Sequence, residues 1–310
     1  MFKSLHLTKY QLALLAIIIN TIIWSASAPI LKWSIGDAPP FAFAFYRFLF
    51  ATLILFPFVI KSLRIKYEDI LKIFVLSLVG ITAHISFYYL GLALAPSINV
   101  PIITSSTPLF LIIGALLFLH EKPKKKVIIG TVISMFGVMI IILRPLLDHA
   151  AVGSILGNFY HVLGVVSFVI YTLLLKKYKL HYPFSTLLFW MFLFGTLVFF
   201  PLYLAEMQSI PFFHLNLHGI LGISYGSIFS SLIGYYLYNY AATYLKANEI
   251  GIFSYSEPII TALVAIPLLG EQITFIYLLG SLFVFMGIII AENRMHFHPG
   301  HNLKPHQTLE

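Results

Sequence analysis

The sequence predicts an all-α integral membrane protein with ten transmembrane helices arranged as two inverted five-helix repeats. Of the 310 residues, 60% are hydrophobic and only 10% are charged, whereas soluble domains carry about 25% charged residues. Apolar stretches near the roughly 20 residues that cross a bilayer follow one another along the chain. One pattern also occurs twice at a constant offset of 150, with Pro108, Glu121, Gly130 and Gly137 recurring as Pro258, Glu271, Gly280 and Gly287.

Each of the ten predicted spans is an apolar window of helical length, and together they leave no room for a sizeable soluble domain. The separators are short and contain Gly, Pro or clustered charges, which predicts a turn between neighbouring helices. The windows are 11–33, 40–60, 70–93, 99–119, 126–143, 154–175, 184–205, 217–240, 249–269 and 273–291.

The basic residues predict the orientation of the spans. An amino terminus in the cytoplasm places sixteen of the nineteen Lys and Arg residues on the inner side and leaves only Lys32, Arg47 and Arg144, in line with the positive-inside bias. We therefore expect a multi-pass protein of the cytoplasmic (inner) membrane with both termini cytoplasmic. The histidine-containing segment 294–310 is expected to be a disordered cytoplasmic tail rather than a metal site.

The repeat offset predicts how the two halves are related. Ten spans give five to each copy, and an odd number inverts the second copy relative to the first. Residues 1–148 form the first predicted repeat and residues 149–293 the second. Four lysines follow Glu121, predicted inside, and none follows Glu271, predicted outside. A site between such halves can open to either side of the membrane.

At this point the chain resembles the ten-helix EamA family of the drug/metabolite transporter superfamily. The resemblance covers nearly the whole chain and implies a pseudo-symmetric bundle with a central cavity that moves small metabolites. Substrates within that family differ widely. The resemblance to this family rests on residues 24–32, Tyr46-Arg47-Phe48, Thr107-Pro108-Leu109 with His120-Glu121-Lys122, 171–176, Ser256-Glu257-Pro258 and Gly270-Glu271-Gln272 with Gly280 and Gly287.

Glu257 is the most informative single residue, because it lies about eight residues into the ninth predicted span. An ionisable group at that depth costs roughly 2.5 to 3.5 kcal/mol and should face a partner or water. One interpretation is a proton-coupling or amine-binding carboxylate. The other is a structural acceptor beside Pro258, whose ring removes a backbone donor. Ser254 and Thr261 share its helix face, which we expect to point inward.

Arg47 lies about seven residues into the second span, at a depth within roughly 10 Å of Glu257. The sequence therefore predicts an intramembrane ion pair between Arg47 and Glu257, direct or through water. In an alternative interpretation, the Arg47 side chain extends toward the membrane interface and does not contact substrate. The halves differ where His84 matches Gly234 and Thr107 matches Glu257, and these mismatches are predicted to carry specificity.

Aromatic residues around these positions predict a sparsely charged pocket for an amphipathic solute or an ammonium group. The alternative is that the tyrosines are interfacial anchors. His84 is a second candidate for proton coupling, or a neutral histidine bonded between helices. The predicted substrate-binding residues are Trp24, His84, Tyr88, Tyr171, Tyr238, Tyr255 and Glu257.

Glycines and prolines mark two further features. Gly130, Gly137, Gly280 and Gly287 predict close packing of the fifth and tenth helices, and a dimer seam is an alternative role. Breaks in helices four and nine are predicted at Pro101, Pro108, Pro258 and Pro267, and discontinuous helices in an inverted repeat point to a binding site.

These features favour a secondary active or facilitative transporter that works by alternating access and exports amino acids or similar amphipathic solutes. One alternative is uptake or exchange of a nucleotide-like or adenosine-containing metabolite, and another is a membrane-embedded enzyme or lipid-modifying scaffold. We predict no catalytic residues, no metal site, no cofactor and no nucleic-acid partner. The expected partners are a small-molecule substrate, protons and membrane lipids, with the chain a monomer or homodimer.

Overall fold

The computed structural model describes residues 8–35, 39–107, 109–110, 114, 125–147, 153–209, 217–245, 253 and 256–292. Over these residues the chain is helical with short connections and contains no β-strand. The all-α part of the predicted fold class is therefore confirmed. The predicted tail at 294–310 lies outside the described residues.

Twelve α-helices make up most of the described chain. Residues 8–147 contribute α1 (Lys9–Ile35), α2 (Pro40–Val59), α3 (Tyr67–Ser77), α4 (His84–Leu94), α5 (Asn99–Ser105) and α6 (Lys125–Leu147). Residues 153–292 contribute α7 (Gly153–Tyr178), α8 (Phe184–Ser209), α9 (Leu217–Ser224), α10 (Gly234–Tyr244), α11 (Glu257–Leu269) and α12 (Phe275–Glu292).

Two π-helical segments connect helices without ending them. The segment π1 (Leu78–Ala83) joins α3 to α4, and π2 (Tyr225–Ile233) joins α9 to α10. Both end at positions 150 apart, and α4 and α10 then run over ranges that differ by the same 150. Helices α3 and α9, and also α6 and α12, begin 150 apart. A π turn inside an α-helix is uncommon and is frequent at functional sites.

Helix length and surface chemistry identify a multi-pass membrane protein. Within the described ranges, six helical rods are long and apolar enough to cross a bilayer, and three apolar helices are shorter. Phe58 and Phe275 are 80% and 78% exposed, which suits lipid rather than water. The predicted span 99–119 is described only in part, so the ten-helix layout stays a prediction. The six rods are Lys9–Ile35, Pro40–Ser62, Tyr67–Leu94, Ser154–Leu175, Phe184–Met207 and Leu217–Ala241.

The helices pack in pairs that cross from one part of the chain to the other. Helix α6 packs along α12, α2 along α8, and α4 along α7, while α1 contacts both α10 and α11. Glycine allows the backbones of α6 and α12 to touch. A Cβ added to Gly137 would lie 2.6 Å from the carbonyl oxygen of Gly280, and one added to Gly287 would collide with the Gly130 carbonyl. The predicted close packing is confirmed.

Two of the four prolines do not interrupt their helices as predicted. Pro101 lies in the first turn of α5 and Pro267 lies inside α11, which continues to Leu269, so neither breaks its helix. The prediction was wrong for these two: a proline is tolerated in a first turn, where its N–H would have no partner inside the helix, and α11 continues past Pro267 despite the one backbone hydrogen bond that this ring removes. Pro258 stands in the first turn of α11, and Pro108 lies outside the described residues.

The chain turns at two matching serines instead. Ser106 follows the end of α5 and Ser256 precedes α11, with φ, ψ of −79°, −4° and −83°, −16°. The backbone N–H of Ser106 donates to Ile103 at 3.1 Å and its hydroxyl donates to the same carbonyl at 2.5 Å. Ser256 repeats both bonds to Phe253, at 3.0 and 2.6 Å. The two copies of the repeat thus share a local hydrogen-bond pattern.

Candidate functional site

Arg47, on α2, is the centre of a buried polar cluster and is only 3% exposed. Its Nε donates to the Ser231 hydroxyl at 3.0 Å, one terminal nitrogen donates to the Tyr89 hydroxyl at 2.8 Å, and the other donates to the Ser230 hydroxyl at 3.2 Å. Both serines belong to π2. Gly226, also in π2, leaves room for the Arg47 stem, since an added Cβ would lie 3.1 Å from its Cδ.

Among the described residues, hydroxyl groups are the hydrogen-bond partners of this guanidinium. Ion pairs in the described part of the chain include Lys32–Glu271, Lys66–Glu68 and Lys72–Asp69. The pair predicted between Arg47 and Glu257, direct or through water, stays a prediction.

Trp24, on α1, lies in an aromatic cluster with α10. Its ring stacks on Tyr238 at 5.3 Å and meets Tyr235 edge-on at 5.5 Å. The indole N–H donates to the Ser230 carbonyl at 3.1 Å, so Ser230 contacts both Trp24 and Arg47. Gly234 is required here, since an added Cβ would collide with the indole nitrogen. The mismatch of His84 and Gly234 therefore has a packing cause on the Gly234 side.

His84, Tyr88 and Tyr171 lie around the contact of α4 with α7. His84 Nδ1 is 2.9 Å from the Gly164 carbonyl, so a hydrogen bond joins α4 to α7. The ring centroids of Tyr88 and His84 are 6.4 Å apart, and those of Tyr88 and Tyr89 are 5.7 Å apart. Tyr171 is buried over π1, where a side chain on Gly80 would strike its ring. Tyr89 links this group to Arg47.

Glu257 is the first residue of α11 and is half-buried. It lies within electrostatic range of Tyr238, which stacks on Trp24. Thr261, one turn further on, is buried and donates to the Ser25 carbonyl on α1 at 2.8 Å, so this face of α11 points inward as expected. Tyr255 and Ser254 lie outside the described residues.

Glu271 joins the turn after α11 to the turn before α5, and we call this contact the Glu271 clasp. One carboxylate oxygen accepts from the Ser97 N–H at 2.7 Å, and the other accepts from the Ile98 N–H at 2.9 Å and the Ser97 hydroxyl at 3.0 Å. Lys32 lies 3.4 Å from the carboxylate and donates to the Ala95 carbonyl. The clasp thus connects the turn after α11, the turn before α5 and the end of α1.

Across the residues that the structure describes, no group of three or more His, Cys, Asp or Glu side chains is placed to hold a metal ion. The cluster around Arg47 provides hydroxyls, aromatic rings and one guanidinium. These groups are buried inside the helical bundle.

Comparison with known proteins decides the family. The profile of the EamA-like transporter family matches residues 11–143 and 155–292. The chain belongs to this family. The EamA-like match therefore agrees with the resemblance that the sequence motifs carried, and it indicates a transporter rather than an enzyme.

Individual relatives are named as transporters. An uncharacterized transporter of Archaeoglobus fulgidus is 26% identical over 91% of this EamA-like chain and 98% of its own. Transporter YcxC of Bacillus subtilis, also uncharacterized, is 26% identical over 89% and 91%. The S-adenosylmethionine uptake transporter of Rickettsia bellii is 29% identical over 74% and 76%. A crystal structure with 16% identity superposes with a TM-score of 0.62 over 92% of this chain and 99% of its own, which shows a shared fold.

Sequence reasoning missed several residues of this EamA-like site. Ser230 and Ser231 were not singled out, although the small polar run Gly226-Ser227 and Ser230-Ser231 in an apolar span was a usable signal. Tyr89 and Tyr235 each stand next to or near a tyrosine that was named, and only helix rotation decides which of two neighbours faces inward. The repeat pattern identifies Glu271 but does not indicate its contacts with Ser97 and Ile98.

Proposed function

We propose that the chain carries a small zwitterionic organic solute across the cytoplasmic membrane by alternating access. The proposed architecture is ten helices in two inverted repeats, 1–148 and 149–293, with both termini in the cytoplasm. Helix bounds that match at an offset of 150, the paired π segments and the matched serine turns support it. Inverted repeats of this kind allow one half to rock against the other around a fixed site.

Arg47 is the observation that carries the proposed substrate class. A guanidinium has five N–H donors, and three hydrogen bonds to hydroxyls account for three of them. A buried charge without a matching charge is costly, so the cluster favours a carboxylate brought by the solute. One cation also limits the solute to few negative charges, which disfavours compounds with several phosphates.

The other end of the proposed site suits a cationic group. Trp24, Tyr235 and Tyr238 present aromatic surface, and Glu257 adds a carboxylate beside Tyr238. Aromatic faces and a carboxylate attract ammonium and sulfonium groups. Trp24 and Arg47 both contact Ser230, so an α-amino acid head group or a longer zwitterion has an anchor for each charge. Tyr88, His84, Tyr171 and Tyr255 complete the proposed lining.

Amino acids exported from the cell are the first proposed substrates, and a zwitterionic adenosine compound taken up or exchanged is the second. The name of the Rickettsia relative supports the second. Counterflow into proteoliposomes with the twenty amino acids, S-adenosylmethionine and a nucleotide sugar separates these substrates. Saturable flux of the nucleotide sugar alone would contradict the zwitterion proposal.

The Glu271 clasp is expected to hold the pathway closed on the predicted outer side. In Glu271→Gln, an amide NH₂ replaces one acceptor oxygen and faces a backbone donor, so the clasp should open more often. The chain contains no cysteine, which makes Tyr88→Cys a single reporter beneath the clasp. We expect Glu271→Gln to raise the labelling rate at position 88 by an impermeant thiol reagent added outside. The increase is about tenfold if the closed clasp loses about 1.4 kcal/mol of stability.

Glu68→Gln is the matched control for the clasp, because it removes an acidic group from an exposed ion pair with Lys66. Exposed pairs contribute little, so its labelling rate should equal that of the Tyr88→Cys parent. Equal labelling in the Glu271→Gln protein would show that the clasp does not control access from that side.

Proton coupling is a separate proposal for Glu257, since His84 is held by the Gly164 carbonyl. A glutamine at position 257 keeps the shape but binds no proton in exchange with solvent. Because Glu257 also lies in the proposed cation site, we expect Glu257→Gln to keep a reduced counterflow that an imposed pH gradient no longer accelerates. Flux is measured with and without the gradient, with Glu68→Gln and His84→Asn in parallel. If the pH gradient accelerated Glu257→Gln as much as the parent, Glu257 would not be the proton-coupling residue.

A further inference from the structure

Three buried polar residues lie between α5, α6 and α7, and within the described part of the chain two of them have side-chain atoms without a hydrogen-bond partner. Asn99, Asn158 and His161 are each at most 3% exposed. Asn99 Nδ2 donates to Asn158 Oδ1 at 2.9 Å, and Asn158 Nδ2 donates to the Ile141 carbonyl at 3.1 Å. Among the described residues, Asn99 Oδ1 and both ring nitrogens of His161 have no hydrogen-bond partner.

These atoms are neighbours. Asn158 and His161 are three residues apart on α7 and so lie on one helix face, with Cβ atoms about 5–6 Å apart. Asn99 is bonded to Asn158, which places its unused oxygen near the same turn. A buried polar atom without a partner costs about 1–3 kcal/mol. A cluster of them is therefore expected to receive a polar guest.

The His161 ring is held in place rather than free to rotate toward a protein partner. Its Cε1 and Nδ1 edge lies against α4 at Gly91, where an added Cβ would be 2.5 and 2.6 Å from these two atoms. The Tyr88 ring meets it edge-on at 6.0 Å. Tyr88 in turn lies beside Tyr89, whose hydroxyl bonds Arg47. Tyr88 and Tyr89 thus connect the cluster to Arg47, the proposed carboxylate site.

We propose that Asn99 and His161 form a second polar subsite, which binds a neutral hydroxyl or carboxamide group of the transported solute. The Nδ1 edge of His161 lies against Gly91, so the ring offers Nε2 to a solute, and Asn99 Oδ1 adds an acceptor. A hydroxyl or carboxamide both donates and accepts, so it matches this pair. Among the described residues, the nearby Lys32 is already paired with Glu271 and does not call for a second full charge on the solute. The subsite rests on the proposed function and narrows its substrate class to zwitterions with a polar side group.

Two leucine variants test the subsite. His161→Leu removes unused polar atoms, so its thermal unfolding temperature in detergent should equal or exceed that of the parent. His84→Leu is the matched control, because it removes a bonded histidine from the same helix contact and should unfold at a lower temperature. A drop in His161→Leu as large as in His84→Leu overturns the proposal, whether or not a substrate has been found.

Solute preference supplies the second measurement. Threonine and valine, and glutamine and methionine, are pairs of similar shape that differ in the polar group. Their ability to compete in counterflow is compared in the parent and in His161→Leu. We expect the parent to prefer threonine and glutamine and the variant to lose about tenfold of that preference. An unchanged preference means that the cluster holds water only and overturns the subsite. If the parent transported no zwitterion at all, the proposed function would be overturned instead.

Discussion

Replacement of Arg47 by glutamine is expected to lower transport of a zwitterionic solute by at least about 100-fold, since a lost charge-assisted bidentate contact in a buried site costs about 3 kcal/mol or more. Arg47→Lys should lose most of this activity as well. A lysine ammonium has its three donors on one nitrogen, so it cannot span the separate contacts that the guanidinium makes to Ser231, Tyr89 and Ser230. Initial counterflow rates, normalised to folded protein, measure the effect.

A control separates loss of binding from loss of folding. Arg64→Gln removes one positive charge from the connection between α2 and α3 and should transport normally. Folded Arg47→Lys protein should also lose the rise in unfolding temperature that the solute gives the parent, because a ligand stabilises only a state that binds it. Near-normal flux in folded Arg47→Gln would remove Arg47 from the substrate site.

Replacement of Gly137 by alanine is expected to destabilise the bundle. The new Cβ would lie 2.6 Å from both the Gly280 carbonyl oxygen and the Val284 backbone nitrogen. Backbone atoms cannot rotate aside, so α6 and α12 must separate, at a cost of about 1–3 kcal/mol. That cost exceeds the roughly 0.5–1 kcal/mol that alanine gains over glycine in a helix. Thermal unfolding should begin several degrees lower, by about 2–4 °C for each kcal/mol.

Gly164→Ala is the matched control. It makes the same substitution inside α7, but the nearest atoms to its Cβ would be 3.5 Å or more away. The helix gain is therefore unopposed, and the unfolding temperature should stay the same or rise slightly. If Gly137→Ala were as stable as Gly164→Ala, the close approach of α6 and α12 would not be part of the folded bundle.

Particular residues show how far sequence reasoning reaches. The apolar windows predicted where helices lie because the bilayer requires a fixed length and satisfied backbone bonds. The offset of 150 predicted matched elements, and the starts of α3, α4 and α6 are matched by those of α9, α10 and α12. The sequence did not predict π1 and π2, because a π turn follows from packing around one extra residue. Nor did it predict that Pro101 and Pro267 leave their helices intact.

The sequence by itself determined that the protein is an apolar helical membrane protein, that it repeats, and which motifs relate it to EamA-like transporters. Composition and repetition are properties of the chain and survive any arrangement of its helices. Only the tertiary structure decided that Arg47 bonds Ser230, Ser231 and Tyr89, and that Glu271 closes a clasp on Ser97. Those contacts join residues up to 184 positions apart, and helix rotation and crossing, which no local pattern encodes, determine which side chains meet.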